Sequence, residues 1–206
     1  HSGANVLARL IAAADRGVRV RILLDDSFTA GQDLAWRAVS EHPNIAFRIY
    51  NPLQHRAGGT TLRQLTNLGE FSRVDHRLHN KMLLVDGRLA IVGGRNLADE
   101  YFGYDEGFNF RDLDVMTLDG SIKEMARHFD AFWNSPWSFP IDRFLAPSLT
   151  HRSLDDVRNW LRVHVPETSV SLDAGARGEW LAAARAAQGG RSRFLADEPA
   201  REDPAA

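Results

Sequence analysis

A histidine, a lysine and an asparagine between residues 79 and 96 form the group of side chains best suited to chemistry in this sequence. His79 and Lys81 are separated by one residue, and Asn96 follows the pair Gly93-Gly94. In an extended segment, residues two apart point to the same face, so the imidazole and the ammonium group can meet one substrate group. An imidazole, a fixed cation and a neutral amide donor suit cleavage of a singly charged phosphodiester without a metal ion.

The spacing of these residues makes a chance arrangement improbable. A histidine, lysine and aspartate at the spacing of His79, Lys81 and Asp86 should arise about once per hundred chains of this length. Requiring two glycines and an asparagine at a set offset lowers that frequency by a further factor of roughly a thousand. The chain also uses arginine almost everywhere, since Lys81 and Lys123 are its two lysines. A lysine in such a chain indicates a place where a compact ammonium group is wanted.

Hydrophobic patterning predicts the elements that position these residues. Apolar side chains recur at helical spacing in some segments and alternate at strand spacing in others. The predicted helices cover residues 4–15, 33–41, 61–71, 121–133, 153–162 and 178–187, and the predicted strands cover residues 18–24, 45–50, 81–86, 89–92 and 112–118. The pair Asp86-Gly87 between two short apolar runs predicts a tight hairpin turn.

The alternation of helices and strands at the start of the chain indicates an α/β fold. It predicts a mixed, mostly parallel β-sheet flanked by helices. Asp25 and Asp26 follow the first predicted strand, at the edge where sheets of this class often bind ligands. Two carboxylates there also suit a turn that ends the strand, and we favour that interpretation.

The composition excludes several other kinds of site. The net charge of −2 gives no overall positive field that would draw the chain to nucleic acid. The absence of cysteine excludes thiolate catalysis and cysteine-bound metal. His76 and His79 could contribute to a metal site, but no third ligand has suitable spacing. We therefore expect neither a metal nor a cofactor.

The pattern His79-x-Lys81-x4-Asp86-x6-Gly93-Gly94-x-Asn96 resembles the HKD motif of the phospholipase D superfamily. The segments HNKMLLVDGRLAIVGGRNLADEYFG, FRDLDVMTLDG, RILLDD and HPNIAFRIYNP are similar to bacterial cardiolipin synthases of the C type. The resemblance covers residues 4–140 and is strongest at residues 76–118. Gly94 is a departure, because most of the superfamily has serine or threonine there, although the cardiolipin synthase branch tolerates glycine.

The resemblance implies a phospholipase D-like fold with one HKD half and places five residues at the catalytic site. His79 would be the nucleophile or the general acid, and Lys81 and Asn96 would hold the non-bridging phosphate oxygens. Asp114 lies where the family often has a carboxylate that orients the catalytic histidine. Asp86 completes the motif, and we expect it to close the hairpin rather than take part in chemistry.

The resemblance also implies substrate-binding roles. These fall to Gly93, Gly94 and Arg95, although Arg95 could equally pack on the surface. A dense aromatic cluster follows the motif and suits either an interfacial wall for lipid or core packing. It consists of Tyr101, Phe102, Tyr104 and Phe108.

The function implied by the resemblance is transfer of a phosphatidyl group between phospholipids through a phosphohistidine, with cardiolipin as the product. Members of the superfamily combine two motifs, from two halves of one chain or from two subunits. The expected partners are therefore a phospholipid substrate, a membrane surface and a second HKD half, and no nucleic acid. The alternatives are a nuclease-like phosphodiesterase and a half that is catalytically silent by itself.

The domain organisation predicted from these observations has two parts. Residues 1–140 would form a catalytic half that is truncated at its N-terminus, and residues 141–206 would lead to a second half that is absent. No apolar run approaches the roughly 20 residues that a membrane-spanning helix needs. We expect peripheral attachment to the cytoplasmic face of a bacterial inner membrane.

Overall fold

The computed structural model shows an α/β protein with two small mixed sheets and flanking helices. It describes residues 1–26, 29, 32–53, 76–118, 120–144, 152–165, 178–179, 182–183, 185–186 and 192–199. These residues form two compact units, which we name after their strand connections. The hairpin unit comprises His1–Asn5, Asn80–Phe129 and Arg162–Ala196, and the crossover unit comprises Val6–His79, Asp130–Leu161 and Asp197–Ala206.

The elements follow the chain in an order close to the predicted one. The helices are α1 (Ser2–Asp15), α2 (Asp33–Ser40), α3 (Ile122–Trp133) and α4 (Leu154–His164), with 3-10 turns at Asp99–Tyr101 and Ile141–Phe144. The strands are β1 (Val20–Asp25), β2 (Ile45–Tyr50), β3 (Lys81–Val85), β4 (Leu89–Gly93), β5 (Asp114–Thr117) and β6 (Ser138–Pro140).

The crossover unit is built on a three-stranded sheet in the order β1-β2-β6. Strands β1 and β2 are parallel and are connected through α2, and β6 pairs antiparallel with β2. One face of β2 is buried along its length, at Ile45, Phe47 and Ile49, whereas the other face changes from exposed Ala46 to buried Tyr50. Phe47, Ile49 and Ile141 form one core cluster, and Trp36 stacks on Phe47 with ring centroids 5.1 Å apart.

The hairpin unit contains an antiparallel sheet in the order β3-β4-β5. Asp86 and Gly87, which connect β3 and β4, both have positive φ angles, of 51° and 64°. The Arg88 N–H donates to the Val85 carbonyl at 2.9 Å and closes the turn. Two positive φ angles define the type I′ turn that Asp-Gly sequences favour.

One face of the hairpin sheet packs on α3. Met82, Leu84, Ala90 and Val92 project from that face, and their core partners on α3 are Ile122 and Met125. Phe194 also packs against this cluster. Residues alternate between faces along a strand, so Lys81 lies on the opposite face.

The predicted α/β class with mixed sheets and flanking helices is confirmed. One of the four strand pairs in the described residues is parallel, which is fewer than the alternating pattern suggested. The tight turn between β3 and β4 requires an antiparallel pair, whereas the antiparallel pairs β4–β5 and β2–β6 join strands that are distant in sequence.

Some predictions differ from the structure or lie outside it. Strand β6 was not predicted, because three residues that end in proline carry no strand periodicity. The predicted helix at residues 61–71 lies outside the described residues. Within the predicted helix at 178–187, the described residues 178–179, 182–183 and 185–186 are helical. The division of the chain at residue 140 stays a prediction.

Candidate active site

The hairpin sheet aligns Lys81 with two other residues of the predicted site. Lys81 begins β3 and lies opposite Gly93 on β4, and Gly93 lies opposite Asp114 on β5. Cross-strand partners share a face of the sheet. The structure therefore places the lysine and the aspartate on the same face, on either side of a residue without a side chain.

Gly93 is required by the close approach of β5. A Cβ atom at this position would lie 2.7 Å from the Leu113 carbonyl oxygen and 2.9 Å from the Asp114 Cα. Backbone atoms cannot move aside as the end of a side chain can, so any larger residue would push the two strands apart.

Gly94 leaves room for the carboxylate of Asp112, which the sequence did not single out. A Cβ atom at residue 94 would lie 2.7 Å from each Asp112 carboxylate oxygen. The space that a serine or threonine would need is thus taken by Asp112. This gives a physical reason for the departure at Gly94, and no local pattern around Asp112 would have revealed it.

Arg95 is held by three acceptors of its own unit. Its Nε donates to Asp114 at 2.7 Å, one terminal nitrogen donates to the Asp112 carbonyl at 3.0 Å, and the other donates to the Tyr101 carbonyl. The guanidinium also lies 5.4 Å from the Phe102 ring centroid. These contacts give Arg95 and Asp114 a structural role, and their roles toward substrate and catalytic histidine stay predictions.

The side chain of Asn96 is oriented by a tyrosine. Its Nδ2 donates to the Tyr101 hydroxyl at 3.2 Å. The ring of Tyr101 stacks on Phe110 with centroids 4.7 Å apart, which limits its movement. An amide carries two N–H groups, so this bond leaves the second one for a substrate oxygen.

The residue between His79 and Lys81 is anchored to helix α3. Asn80 Nδ2 and His128 Nε2 are joined by a hydrogen bond of 2.7 Å, and the His128 ring meets Phe194 edge-on with centroids 5.3 Å apart. Asn80 therefore faces the core side of the sheet, as Met82 does. The sequence contains no signal that would have identified His128.

His79 lies at the end of a segment of the crossover unit, and its side chain is exposed. It precedes β3 by two residues, so it lies just before the regular strand rather than within it. Because its side chain is exposed, His79 is accessible to a substrate in solvent or in a membrane.

Asp86 follows Val85, the last residue of β3, and so lies at the end of the strand away from Lys81. Five residue steps of a strand separate it from Lys81, a span of about 17 Å. Its positive φ angle and its position in the turn agree with the expected role in closing the hairpin.

The aromatic cluster is exposed, so the structure decides against core packing. Phe102, Tyr104 and Phe108 are 41%, 55% and 60% exposed. Phe108 meets Phe110 edge-on with centroids 4.7 Å apart. These three side chains lie on the surface, and Tyr101, the fourth member of the cluster, is half-buried.

The structure shows two further properties of the described residues. They contain no group of three or more histidine, aspartate or glutamate side chains that could hold a metal ion. None of their helices is long and apolar enough to cross a membrane.

Residues 2–133 match the sequence profile of a family described as cardiolipin synthase, PLD-like domain. The match covers more than half of the chain. The chain belongs to this family. Membership in the phospholipase D-like family confirms the resemblance that the HKD pattern carried.

Three curated relatives show how far the similarity extends. Cardiolipin synthase C of Escherichia coli is 42% identical over 144 residues, which cover 70% of this chain and 30% of the relative. An uncharacterised protein of Helicobacter pylori is 34% identical over 77% of this chain and 31% of its own length. A cardiolipin synthase of Staphylococcus aureus is 27% identical over 65% of this chain and 25% of its own length.

This phospholipase D-like chain spans about 30% of the length of these relatives. No solved structure shows significant similarity to it.

Proposed function

We propose that this chain is one catalytic half of a phosphatidyltransferase that acts on phospholipids and forms cardiolipin. The observation that carries the proposal is the strand register, which aligns Lys81, Gly93 and Asp114 within the phospholipase D-like domain. The exposed His79 precedes that register by two residues of chain. Histidine, lysine and asparagine together match the needs of a phosphodiester.

The reaction proceeds in two displacements at phosphorus. In the first, a histidine nitrogen attacks phosphorus, the bond to the leaving alcohol breaks, and a second histidine donates a proton to that alcohol. In the second, the second histidine removes a proton from the acceptor alcohol, whose oxygen attacks phosphorus and releases the first histidine. His79 fills one of the two roles, and the second half supplies the other histidine.

Lys81 and Asn96 stabilise the charge on the non-bridging oxygens during both displacements. The ammonium group supplies a fixed positive charge, and the free N–H of Asn96 supplies a neutral donor. Both groups are in place before the substrate arrives, since Lys81 belongs to a strand and Asn96 is held by Tyr101.

Phospholipid is favoured over nucleic acid as the substrate. The matching domain and two of the relatives carry the name cardiolipin synthase. The net charge of −2 gives no field that would collect a polyanion. An exposed aromatic loop next to the site fits a lipid–water interface better than a phosphate backbone. We infer peripheral attachment at the cytoplasmic face of the inner membrane on the same grounds.

The test offers phosphatidylglycerol vesicles and single-stranded DNA to the intact protein in parallel. We expect lipid products with phosphatidylglycerol and no cleavage of the DNA. Addition of EDTA should leave the rate unchanged, because Lys81 and Asn96 take the place of a metal. Rapid DNA cleavage without lipid products would establish the nuclease alternative instead.

The matched variants are His79→Ala and His164→Ala. We expect His79→Ala to lose activity by at least a thousandfold while it remains folded, because a nucleophile or general acid is removed. His164 is exposed on α4, and its replacement should leave the rate unchanged. Normal turnover by a folded His79→Ala variant would contradict the proposed function.

A further inference from the structure

Residues 76–78, which lead directly to His79, are held at each position by polar side chains of the crossover unit. Asn51 Nδ2 donates to the His76 carbonyl at 2.8 Å. The Arg77 guanidinium donates to an Asp25 oxygen at 3.3 Å, and the Leu78 N–H donates to the other Asp25 oxygen at 2.9 Å.

Asp25 and Asn51 come from the ends of adjacent parallel strands. Asp25 is the last residue of β1 and pairs with Tyr50, the last residue of β2, which Asn51 follows. The backbone N–H of Asn51 donates to the Trp137 carbonyl at 2.8 Å, and its own carbonyl accepts from Arg77 at 3.2 Å. Since strand ends within a sheet have fixed positions, both side chains act from a rigid base.

These polar contacts are partly buried, so water competes only weakly with them. The side chains of Asp25 and Arg77 are each 10% exposed, and Asn51 is 1% exposed. A buried carboxylate that lost its partners would be left uncompensated, so the ion pair and the amide bond hold each other in place.

Packing against aromatic side chains also holds His76 and Leu78. The His76 ring lies parallel to Trp137, with ring centroids 5.6 Å apart. Leu78 packs against the core cluster of Tyr50, Phe132 and Trp137. The backbone is therefore fixed immediately before His79, whose own side chain is exposed.

We propose that Asp25 and Asn51 are positioning residues that set the place from which His79 acts on phosphorus. This inference rests on the proposed function, since it presumes that His79 is catalytic. In-line displacement requires near-ideal alignment of the reacting atoms, and a misplacement of about 1 Å can cost on the order of a hundredfold in rate. Neither residue needs to touch the substrate, because each acts through the backbone of residues 76–78.

The neighbouring Asp26 has different partners and supplies the control. It is fully buried, accepts from the Leu53 N–H at 2.8 Å and binds the Thr29 hydroxyl. None of these contacts belongs to residues 76–78. Asp25 therefore contacts the segment that leads to His79, whereas these contacts of Asp26 are to Leu53 and Thr29.

The experiment measures kcat and KM of the intact protein on phosphatidylglycerol vesicles for Asp25→Asn, Asn51→Gly and Asp26→Asn. We expect kcat to fall by about tenfold to a hundredfold for the first two variants, with KM within about twofold of the native value. The rate at which phosphohistidine forms in a single turnover should fall by the same factor. Asp26→Asn should lower the melting temperature and keep kcat within about threefold of native.

Asn51→Gly is the decisive variant if Asp25→Asn fails to fold. Asn51 has a φ angle of 46°, which glycine adopts without strain, so the change removes the bond to His76 and keeps the local backbone. A fall of less than about fivefold in the kcat of folded Asn51→Gly would overturn the proposal. An equal fall in Asp26→Asn would also overturn it, because the effect would then reflect general loosening of the unit.

His79→Ala, assayed in parallel, distinguishes failure of the catalytic role of His79 from failure of the positioning role of Asp25 and Asn51. Activity in that variant would refute the catalytic role of His79 and with it the proposed function. Inactive His79→Ala beside fully active Asp25→Asn and Asn51→Gly would leave the proposed function standing and refute the positioning role.

Discussion

At the scale of single residues, the site is organised by side chains that hold other side chains. Arg95 connects Asp114 to the backbone of Asp112 and Tyr101. Tyr101 in turn orients Asn96 through its hydroxyl. The groups that we expect at the phosphate are thus oriented by neighbours that the HKD motif does not include.

Tyr101→Phe tests this organisation at its most specific point. Loss of the hydroxyl removes the hydrogen bond that orients the Asn96 amide. Because a typical hydrogen bond contributes about 0.5–1.5 kcal/mol, we expect kcat to fall by about twofold to tenfold. The ring still stacks on Phe110, so we expect little change in melting temperature. Tyr104→Phe, on the exposed part of the same loop, is the matched control in steady-state assays of the intact protein. Equal rates for the two variants would show that Tyr101 does not orient Asn96.

At the scale of elements, the contacts of β4 with neighbouring segments decide which residue types fit at positions 93 and 94 of the motif. Strand β5 approaches β4 so closely at Gly93 that backbone atoms leave no room for a side chain. One residue later, at Gly94, the obstacle is the exposed carboxylate of Asp112, which can rotate away.

The two glycines should therefore respond differently to the same substitution. Gly93→Ala overfills the contact between β4 and β5 and should destabilise the protein by about 1–3 kcal/mol. Gly94→Ala should cost less than about 1 kcal/mol, because one side chain moves. Urea unfolding of both variants measures the difference, and equal destabilisation would show that β5 does not approach β4 in this way.

A second contact between elements makes the stability of the folded protein depend on pH. Asp15, at the end of α1, meets His42 before β2 at 3.0 Å and Arg158 on α4 at 2.6 Å. The hydrogen bond from His42 and then the charge of Arg158 lower the pKa of Asp15 below its ordinary value of 3.8, although burial opposes them.

A carboxylate with a lowered pKa stabilises the folded state above its unfolded pKa and loses that contribution as the pH falls toward its folded pKa. We therefore expect the native protein to be more stable than Asp15→Asn at neutral pH. The difference should narrow as the pH falls below about 4. Thermal unfolding across this range measures it, and a difference that stays constant with pH would contradict the account.

At the scale of the whole molecule, the sequence carries one HKD motif, whereas the reaction that we propose needs two histidines. The attacking and leaving groups lie on opposite sides of phosphorus, so one histidine cannot serve both. Lys81 shares its face of the hairpin sheet with Leu83 and Val85, which are 45% and 43% exposed. An apolar surface beside Lys81 is suited to packing against the second half that we propose.

We expect the 206 residues by themselves to be inactive and to self-associate through this face. The measurements are the mass in solution and the turnover of a chromogenic phosphodiester. Leu83→Ser should reduce self-association, whereas Val163→Ser, at a site 79% exposed on α4, should not. Robust turnover by a dimer would show that the chain is a complete enzyme with a single motif.

The sequence by itself determined the local elements and the motif. The limits of β2 agree with the prediction, and the Asp86-Gly87 turn forms as expected. The reason is that periodicity of apolar residues and turn preferences act over a few residues of chain. The spacing from His79 to Asn96 is also local, so it was visible without coordinates.

The tertiary structure alone decided which distant residues support the site. Asp25 reaches the Leu78 N–H from 53 positions earlier in the sequence, and the carboxylate of Asp112 takes the place of a side chain at Gly94. For Asp25 and Asp26 the sequence favoured a turn that ends the strand over a ligand site. Their separate partners became visible only in the folded structure. Such contacts depend on strand register and on burial, which a local pattern does not encode.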